Sequence, residues 1–286
     1  MNESVNPSVR VQKVKKSRIK IKLFVFVTAA VLLLLSAVFA QQLCPFDPYE
    51  MDLSIANLKP GADHIMGTDQ YGRDLFSRIL MGGRTSIFST LTLVAIISVS
   101  GTIVGVTCGF SGGFFDTFVM RISDICLAFP GLVFALAVAA LLKGGVAGAV
   151  IALAVISWPK YARIARSQTL AQMNTAYIHA AKLSGSSSVQ IILRHILPNT
   201  MGPVLVTAML DIGTMMMELA GLSFLGLGAQ PPTAEWGSMM SAGRSMLQIY
   251  PWQILCPGFA IFVTVIIFNL LGDTIRDFMD IDSNRS

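Results

Sequence analysis

Two acidic residues lie in one otherwise uncharged stretch of the chain. Asp211 and Glu218 interrupt the apolar residues 201–227, and because they are seven positions apart they share one face of a helix. A carboxylate at the centre of a membrane costs about 2.5–3.5 kcal/mol on insertion scales, so such a face meets protein or water. Two roles stay open: the carboxylates line a path for a cation or an amine, or they form hydrogen bonds to a second subunit.

Three methionines, residues 215–217, lie between these acids. A methionine run in a membrane span is more typical of packing than of a metal relay, because thioether groups fill apolar gaps readily. Met215 joins Asp211 and Glu218 as a candidate for the translocation path. No metal ligand is assigned.

The other residue types that often do chemistry form no catalytic or metal-binding pattern. The histidines lack zinc-protease spacing and the cysteines form no CxxC pair. They are His64, His179, His195, Cys44, Cys108, Cys126 and Cys256. The cysteines are interpreted as packing residues, with a Cys44–Cys256 bridge as the alternative. Because no GxxxxGK[ST] loop is present, we predict no catalytic residue and no cofactor bound by this chain, and any ATP is used by another subunit.

Residues 177–199 predict a helix, a turn and a second helix. They read YIHAAKLSGSSSVQIILRHILPN, and the first helix has small residues on one face. That face holds Tyr177, Ala180, Ala181 and Ser184. Gly185 suits the position after the helix, which requires a positive φ. Ser186 or Ser187 can cap the second helix, and we expect Pro198 to end it.

The elements that position these residues are membrane spans. Hydrophobic residues make up 53% of the 286 residues and charged residues only 13%, against about 25% charged in soluble domains. Six apolar stretches are candidate spans, each near the length of about 20 residues that crosses a bilayer. They are residues 23–40, 85–110, 125–142, 144–158, 201–227 and 254–271. The predicted fold class is an all-α polytopic membrane protein with six transmembrane helices.

Basic residues give the orientation, because lysine and arginine in short loops stay on the cytoplasmic side. They cluster in residues 1–22 and in residues 159–200, where no acid occurs. Four spans separate these blocks, so one topology satisfies both, with both termini in the cytoplasm. The net charge of +5 is therefore explained without nucleic acid. Residues 23–40 would also suit a signal peptide, but their length and the later spans favour an uncleaved first helix.

The domain organisation follows from this topology. Residues 1–22 form a basic cytoplasmic tail, 23–40 the first span and 41–84 an outer loop. Residues 85–274 form a five-helix core that contains the cytoplasmic loop 159–200, and 275–286 form a second cytoplasmic tail. In the outer loop, Asp69, Arg73 and Asp74 are more typical of loop-fixing ion pairs than of ligand contacts. We expect them to be too exposed to stabilise the fold much.

The cytoplasmic loop resembles that of the binding-protein-dependent ABC importer permeases. Their hallmark is EAA, three residues, Gly, then an apolar run that ends in Leu-Pro. The matching residues are Ala180, Ala181, Gly185, Ile196, Leu197 and Pro198. His179 replaces the leading glutamate, which puts one polar contact in doubt. The resemblance implies that these residues form coupling helices that dock on an ATPase subunit, and that the fold is that of a type I ABC importer permease.

Three further stretches narrow the resemblance to the C-type subunits of the dipeptide, oligopeptide and nickel permeases. They are residues 64–78 (HIMGTDQYGRDLFSR), 222–237 (LSFLGLGAQPPTAEWG) and 268–277 (FNLLGDTIRD). The resemblance implies a complex of this chain with a second permease, two ATPases and an external solute-binding protein, in the bacterial inner membrane. The alternative function is a membrane scaffold or sensor for an ABC ATPase that transports nothing.

The cargo stays open between nickel, free or chelated, and short peptides. Residues 211–221 (DIGTMMMELAG) look more like the nickel permeases than the dipeptide permeases, which favours nickel. Nickel accepts nitrogen and oxygen ligands, so the methionines alone do not select it.

Overall fold

Long helices make up the fold, and the computed structural model describes residues 7–283, with side chains from 19 to 279. Within that part no strand occurs, and the only strand-like contact is a bridge between Thr68 and Asp74. In chain order the helices are α1 (Pro7–Val38), α2 (Ala40–Leu43), α3 (Leu75–Ser111), α4 (Gly113–Ala128), α5 (Gly131–Leu141), α6 (Gly145–Met173), α7 (Ala176–Leu183), α8 (Ser188–Ile191), α9 (Leu197–Phe224), α10 (Trp236–Gly243) and α11 (Trp252–Ser283).

Five helices of the described residues are long and apolar enough to cross a membrane. They are Ile19–Val38, Leu75–Ser111, Gly145–Met173, Ser188–Phe224 and Trp252–Met279. A sixth span exists only if α4 and α5 count as one, and these two helices meet at 95°. The predicted span 125–142 is therefore a bent pair of helices. The break falls at Phe129 because a residue that precedes proline avoids the helical conformation, and its ψ is 146°.

Other boundaries differ from the prediction because helices continue beyond the apolar stretches. Helix α3 begins at Leu75 and not at residue 85, since the Asp74 carboxylate caps it by accepting a hydrogen bond from Ser77 N at 2.7 Å. Helix α6 runs through Pro159 to Met173, so it includes the first part of the predicted loop 159–200. The predicted tails 1–22 and 275–286 lie partly outside the residues whose side chains are described.

Helices α3 and α6 pack closely through three glycines spaced four residues apart. A Cβ at Gly101 would lie 2.6 Å from the Trp158 carbonyl oxygen, and one at Gly105 would lie 2.2 Å from the Ala162 carbonyl oxygen. Gly109 repeats the pattern against α6 one turn later. Small residues at this spacing let two backbones touch, which is how spans associate in lipid.

Helices α3, α6 and α9 connect two ends of the bundle. We call the end that holds residues 174–199 the coupling end, and the end that holds residues 44–74 and 226–251 the loop end. At the loop end, Glu235 caps α10 and accepts a hydrogen bond from Ser86 Oγ at 3.1 Å. The Trp236 indole donates to the Ile79 carbonyl at 2.9 Å. These bonds hold the short helix α10 against α3.

The four cysteines are free thiols, so the Cys44–Cys256 bridge does not form. Cys44 Sγ donates to the Ser77 carbonyl at 3.4 Å, and burial raises the pKa of this thiol. The interpretation of the cysteines as packing residues agrees with this arrangement.

Candidate functional site: the coupling segment and the carboxylates of helix α9

The turn after α7 has the geometry that the sequence predicts. Gly185 has a φ of 81°. Gly185 N donates to the Lys182 carbonyl at 3.1 Å, and Ser186 N donates to the Ala181 carbonyl at 3.1 Å. This pair of bonds is a Schellman motif, which ends a helix and reverses the chain. A side chain at Gly185 would meet open space, so any cost of substitution comes from backbone strain.

The second helix of the segment begins with a capping box. Ser187 Oγ accepts from Gln190 N at 3.3 Å, and Ser187 N donates to Gln190 Oε1 at 2.9 Å. These reciprocal bonds satisfy backbone groups that the first helical turn leaves free. Of the two predicted caps, Ser187 is the one that forms.

The prediction that Pro198 ends this helix is wrong. After α8 the chain makes a π-helical turn over Ile192–Ile196 and continues as α9. Pro198 lies in the first turn of α9, where a missing N–H and a fixed φ are tolerated. The coupling segment, residues 174–199, is therefore continuous with the span that carries Asp211 and Glu218.

One side of the coupling segment is anchored on the bundle. Ile178, Ile191 and Ile196 are buried and form one cluster with Val106 of α3 and Ala165 of α6. Burying a side chain of this size contributes roughly 1.5–3 kcal/mol. The anchor holds the segment in a fixed position against α3 and α6.

The other side of the coupling segment is apolar and uncovered. Leu183 is 90% exposed, and Val189 and Leu193 are also largely exposed. Of the motif residues, Ala180, Gly185 and Pro198 are exposed, Ala181 and Leu197 are half-buried, and Ile196 is buried. His179 is exposed as well. A clustered apolar surface of this kind is typical of a contact site for another protein.

A small polar network joins the end of α6 to the start of α9 beneath α7. The buried Gln172 accepts hydrogen bonds from Tyr177 Oη at 3.3 Å and from Asn199 Nδ2 at 3.4 Å. Gln172 Nε2 donates to the Ile196 carbonyl at 3.5 Å. No sequence pattern singled out Gln172, because a single amide side chain in a long helix belongs to no motif of characteristic spacing.

Asp211 is bonded within its own chain. Its side chain lies between α9 and α6 and the residue is 3% exposed. Oδ1 accepts from Lys160 Nζ at 2.5 Å and Oδ2 accepts from Tyr161 Oη at 2.9 Å. Neither sequence interpretation, path or bond to a second subunit, included these partners. The adjacent Lys160 and Tyr161 are the functional residues that sequence reasoning missed.

Glu218 has a different environment from Asp211. It is half-buried, and its carboxylate makes no hydrogen bond or ion pair with any described residue. On α9 it lies beside the exposed Thr214, Met217 and Leu225. Met215, one turn before Glu218 on α9, is buried in the core of the bundle with Ile212 and Leu219. The three candidate path residues therefore have three different environments.

Asp69 and Arg73 of the outer loop form a predicted ion pair, whereas Asp74 is bonded to His64, and the three predicted residues are buried. Arg73 Nε lies 2.7 Å from Asp69 Oδ2, and His64 Nδ1 lies 2.9 Å from Asp74 Oδ1. All but His64 are buried, so the expectation of exposure is wrong. The cause is the second loop and the start of α11, where Gln253 Nε2 donates to Asn57 Oδ1 at 2.7 Å across the loop end. Elsewhere in this loop, hydrogen bonds from Ser54 lower the pKa of Asp52.

Metal ligands do not cluster in the described part of the chain, where no three His, Cys, Asp or Glu side chains could hold one ion.

The comparisons with known proteins then decide the family. Residues 101–281 match the family model described as "Binding-protein-dependent transport system inner membrane component". The chain belongs to this family. It is a multi-pass permease subunit of an ABC importer, and its relatives are C-type permease subunits.

Named relatives cover most of the permease. It is 44% identical over 250 residues to the probable D,D-dipeptide transport system permease protein DdpC of Escherichia coli K12, which covers 87% of this chain and 84% of that protein. It is 42% identical over 251 residues to the glutathione transport system permease protein GsiD of Escherichia coli O157:H7, with 87% and 83% covered. The dipeptide permease DppC of Alkalihalophilus pseudofirmus is 39% identical over 269 residues, with 94% and 88% covered.

A solved structure agrees on the fold. A chain of the inward-facing MetNI methionine ABC transporter superposes with a TM-score of 0.57 at 17% identity, covering 70% of this chain and 96% of that chain. At this identity the likeness concerns the fold, which is that of a type I ABC importer permease. The predicted fold class is confirmed.

Proposed function

We propose that this permease moves short peptides across the plasma membrane, in a complex with a second permease subunit, two ABC ATPases and an external solute-binding protein. ATP is used by the ATPases, and this chain binds no cofactor of its own. The observation that carries the proposal is the coupling segment, which is anchored by buried isoleucines on one side and presents an uncovered apolar surface on the other.

The uncovered surface is the docking site for one ATPase. Leu183, Val189 and Leu193 are apolar and exposed. All three precede the apolar residues 201–227, although the candidate span that contains this stretch begins at Ser188. Because α8 continues through the π-helical turn into α9, a displacement of the docked segment moves the start of α9. Gln172, bonded to both α7 and the start of α9, keeps the two parts together.

The coupling end faces the cytoplasm in this proposal. Lys182 and Arg194 lie in this end, Arg163 and Arg166 lie on the second half of α6 that leads to it, and positive charge is retained inside. Both termini are then cytoplasmic, and the loop end faces the external binding protein. Residues of both loops of the loop end line one cavity, and Gln253 at the start of α11 donates a hydrogen bond to Asn57 of the outer loop.

The cargo assignment rests on the relatives. Their names specify D,D-dipeptides, glutathione and dipeptides, all of them short peptides or close analogues. None of these three names mentions nickel, and the buried Met215 and Met216 pack in the core. Peptides are therefore the better supported cargo than nickel.

Glu218 is the carboxylate we assign to the path or to the contact with the second permease. An unpaired acid within a span needs a partner or water, and Glu218 has neither a hydrogen bond nor an ion pair among the described residues. Asp211 already has both of its oxygens bonded, so we assign it a role within the chain. Thr214, Met217 and Leu225 share the exposed stripe with Glu218.

Purification of the intact importer through a tag on this chain tests the proposal. The tag should retain a second permease and an ATPase. Vesicles that contain the complex should take up a labelled dipeptide only when ATP is supplied on the ATPase side and the binding protein on the other. Retention of the ATPase without uptake of any peptide or of nickel would favour the scaffold alternative. Uptake of nickel alone would overturn the peptide assignment.

A further inference from the structure

A cavity that three arginines help to line lies at the loop end, between the outer loop and α10. Its volume is about 270 Å³, room for about nine waters at ~30 Å³ each. Arg73 and Arg78 line one wall, and Arg244, which follows α10, lines another. The only acidic residue in the lining is Asp69. Three guanidinium groups therefore meet one carboxylate in this cavity.

The single carboxylate of the lining is bonded within its own loop. Asp69 Oδ1 accepts from Tyr71 N at 2.8 Å and from Arg73 N at 3.1 Å. Asp69 Oδ2 accepts from Arg73 Nε at 2.7 Å and lies 3.5 Å from Arg78 Nε. Asp69 therefore accepts three hydrogen bonds and already contacts both arginines.

The arginines, in contrast, have donors to spare. Both Nη groups of Arg73 lack a hydrogen-bond partner in the described residues, and Arg78 uses only Nη1, which donates to the Pro48 carbonyl at 2.9 Å. The side chain of Arg244 makes no hydrogen bond or ion pair there. In the same part of the chain, only Thr102 Oγ1 and Trp252 Nε1 are both sealed from solvent and unbonded. The free Nη groups of the buried Arg73 and Arg78 therefore reach solvent, and the cavity is the open space that both residues line.

The position of Arg73 is fixed before any ligand arrives. Its guanidinium carbon lies 4.6 Å from the centre of the Tyr71 ring, and its Nε is held by Asp69. A guanidinium held in one plane with both Nη groups free presents the fork of donors that binds a carboxylate through two parallel hydrogen bonds. The hydroxyl-bearing Thr233 and Ser241 complete the polar lining.

Burial also favours an anion in this cavity. Arg73 and Arg78 are each 5% exposed, and buried charges are normally paired. Asp69 is the only carboxylate that contacts them, because the buried Asp74 of the same loop is bonded to His64 and to Ser77 N. Arg244, the third arginine of the lining, has no acidic partner among the described residues.

We propose that this cavity binds the carboxylate of a small solute, and specifically the C-terminal carboxylate of a peptide as it leaves the external binding protein. The peptide part of this inference rests on the proposed function. The cavity lies at the loop end, where the cargo arrives in that proposal, and Ser223 and Gly226 at the end of α9 form part of its lining. The second source of the same chemistry is an acidic side chain of the docked binding protein, and the experiment separates the two.

Arginine footprinting of the intact importer in lipid nanodiscs tests the site. Phenylglyoxal modifies accessible arginines, and mass spectrometry follows the rates at Arg73 and Arg244. Dialanine without binding protein should slow both rates at least about threefold, a modest occupancy effect, whereas the C-terminal amide of dialanine should not. Arg121, whose side chain is 77% exposed near the coupling end, is the internal reference and should react at one rate throughout.

Two variants make the footprint specific. Arg244→Gln should raise the dialanine concentration needed to protect Arg73 by about tenfold, the loss expected for one charged hydrogen bond. Lys59→Gln removes a charge from an exposed residue of the same end that does not line the cavity, and should leave protection unchanged.

Three results would overturn the site proposal. Dialanine could give no protection, or its C-terminal amide could protect equally well. Protection could also require the binding protein, which would mean that the cavity takes an acidic side chain of that protein. Peptide uptake is measured on the same preparation. Protection by dialanine without uptake of any peptide would reject the proposed function and leave the carboxylate site intact. Uptake of a peptide without protection of the arginines by dialanine would reject the carboxylate site and leave the proposed function intact.

Discussion

Asp211 and Tyr161 are joined by a hydrogen bond of 2.9 Å between α9 and α6. The same carboxylate is bonded to Lys160, whose side chain is 52% exposed. Asp211→Asn keeps the shape but removes the charge, and Lys160 can then return to solvent. We expect a loss of about 1–2 kcal/mol in stability, less than for a fully buried pair. The thermal midpoint of the purified complex in detergent measures it.

Tyr161→Phe is the matched test of the same contact. It removes one hydrogen bond and no charge, so the expected loss is about 1 kcal/mol. Wild-type midpoints in both variants would show that the Asp211 contact does not stabilise the pairing of α9 with α6. A loss of uptake in Asp211→Asn at unchanged stability would instead return Asp211 to the path.

Glu218→Gln should have little effect on the stability of this chain, because the carboxylate has no bond to a described residue. If Glu218 lines the path, uptake falls while basal ATP hydrolysis and subunit retention are unchanged. If it bonds to the second permease, retention of that subunit falls first. Uptake and retention are measured together on one preparation, and wild-type values of both would reject both roles.

Gly83→Ala tests how α10 is held at the loop end. A Cβ at Gly83 would lie 2.9 Å from Trp236 Cζ2, and the Trp236 indole is held by the Ile79 carbonyl and buried. The ring cannot move without losing that bond, so we expect a loss of about 1–3 kcal/mol from overpacking. Gly131→Ala is the control, since its Cβ would meet nothing within 4 Å. Equal midpoints for the two variants would contradict this packing.

Single cysteines at Ser187 and Thr233 test the orientation. Both positions are exposed, one at the coupling end and one at the loop end. In a background without the four native cysteines, a membrane-impermeant maleimide added to intact cells should label the cysteine at 233 and not the one at 187. The opposite labelling would reverse the proposed topology.

Much of the fold could be predicted because lipid imposes simple rules on sequence. Apolar length identified the spans, and Gly185 and Ser187 identified the turn and cap through local backbone requirements. The bend at Phe129 was missed although Pro130 marks it, because hydropathy alone does not distinguish a straight span from a broken one. The extension of α3 to Leu75 was missed because hydropathy bounds only the apolar stretch, whereas a helix can continue into the polar residues that precede it.

The candidate site was less predictable, since its contacts join distant parts of the chain. The partners of Asp211 lie 50 and 51 residues away, and no local pattern pairs them. The burial of Arg73 and Asp69 likewise depends on the second loop, far along the sequence. Topology placed these residues in a loop, but a loop covered by another loop is not exposed.

Gly185→Val tests the central claim that the coupling segment transmits the action of the ATPase. At a φ of 81° a β-branched residue is strained by roughly 1–3 kcal/mol, so the turn between α7 and α8 should be distorted while the buried isoleucine anchor remains. Gly145→Val is the matched control. Gly145 has a φ of 87° and equally open surroundings, but it lies at the loop end beside Gly228.

The decisive measurement is ATP-driven dipeptide uptake by vesicles that contain each variant complex, with ATPase retention measured on the same preparation. The account predicts that Gly185→Val inserts normally, loses most ATPase retention and stops uptake, while Gly145→Val retains both. A Gly185→Val complex that retains the ATPase and transports at the wild-type rate would contradict it.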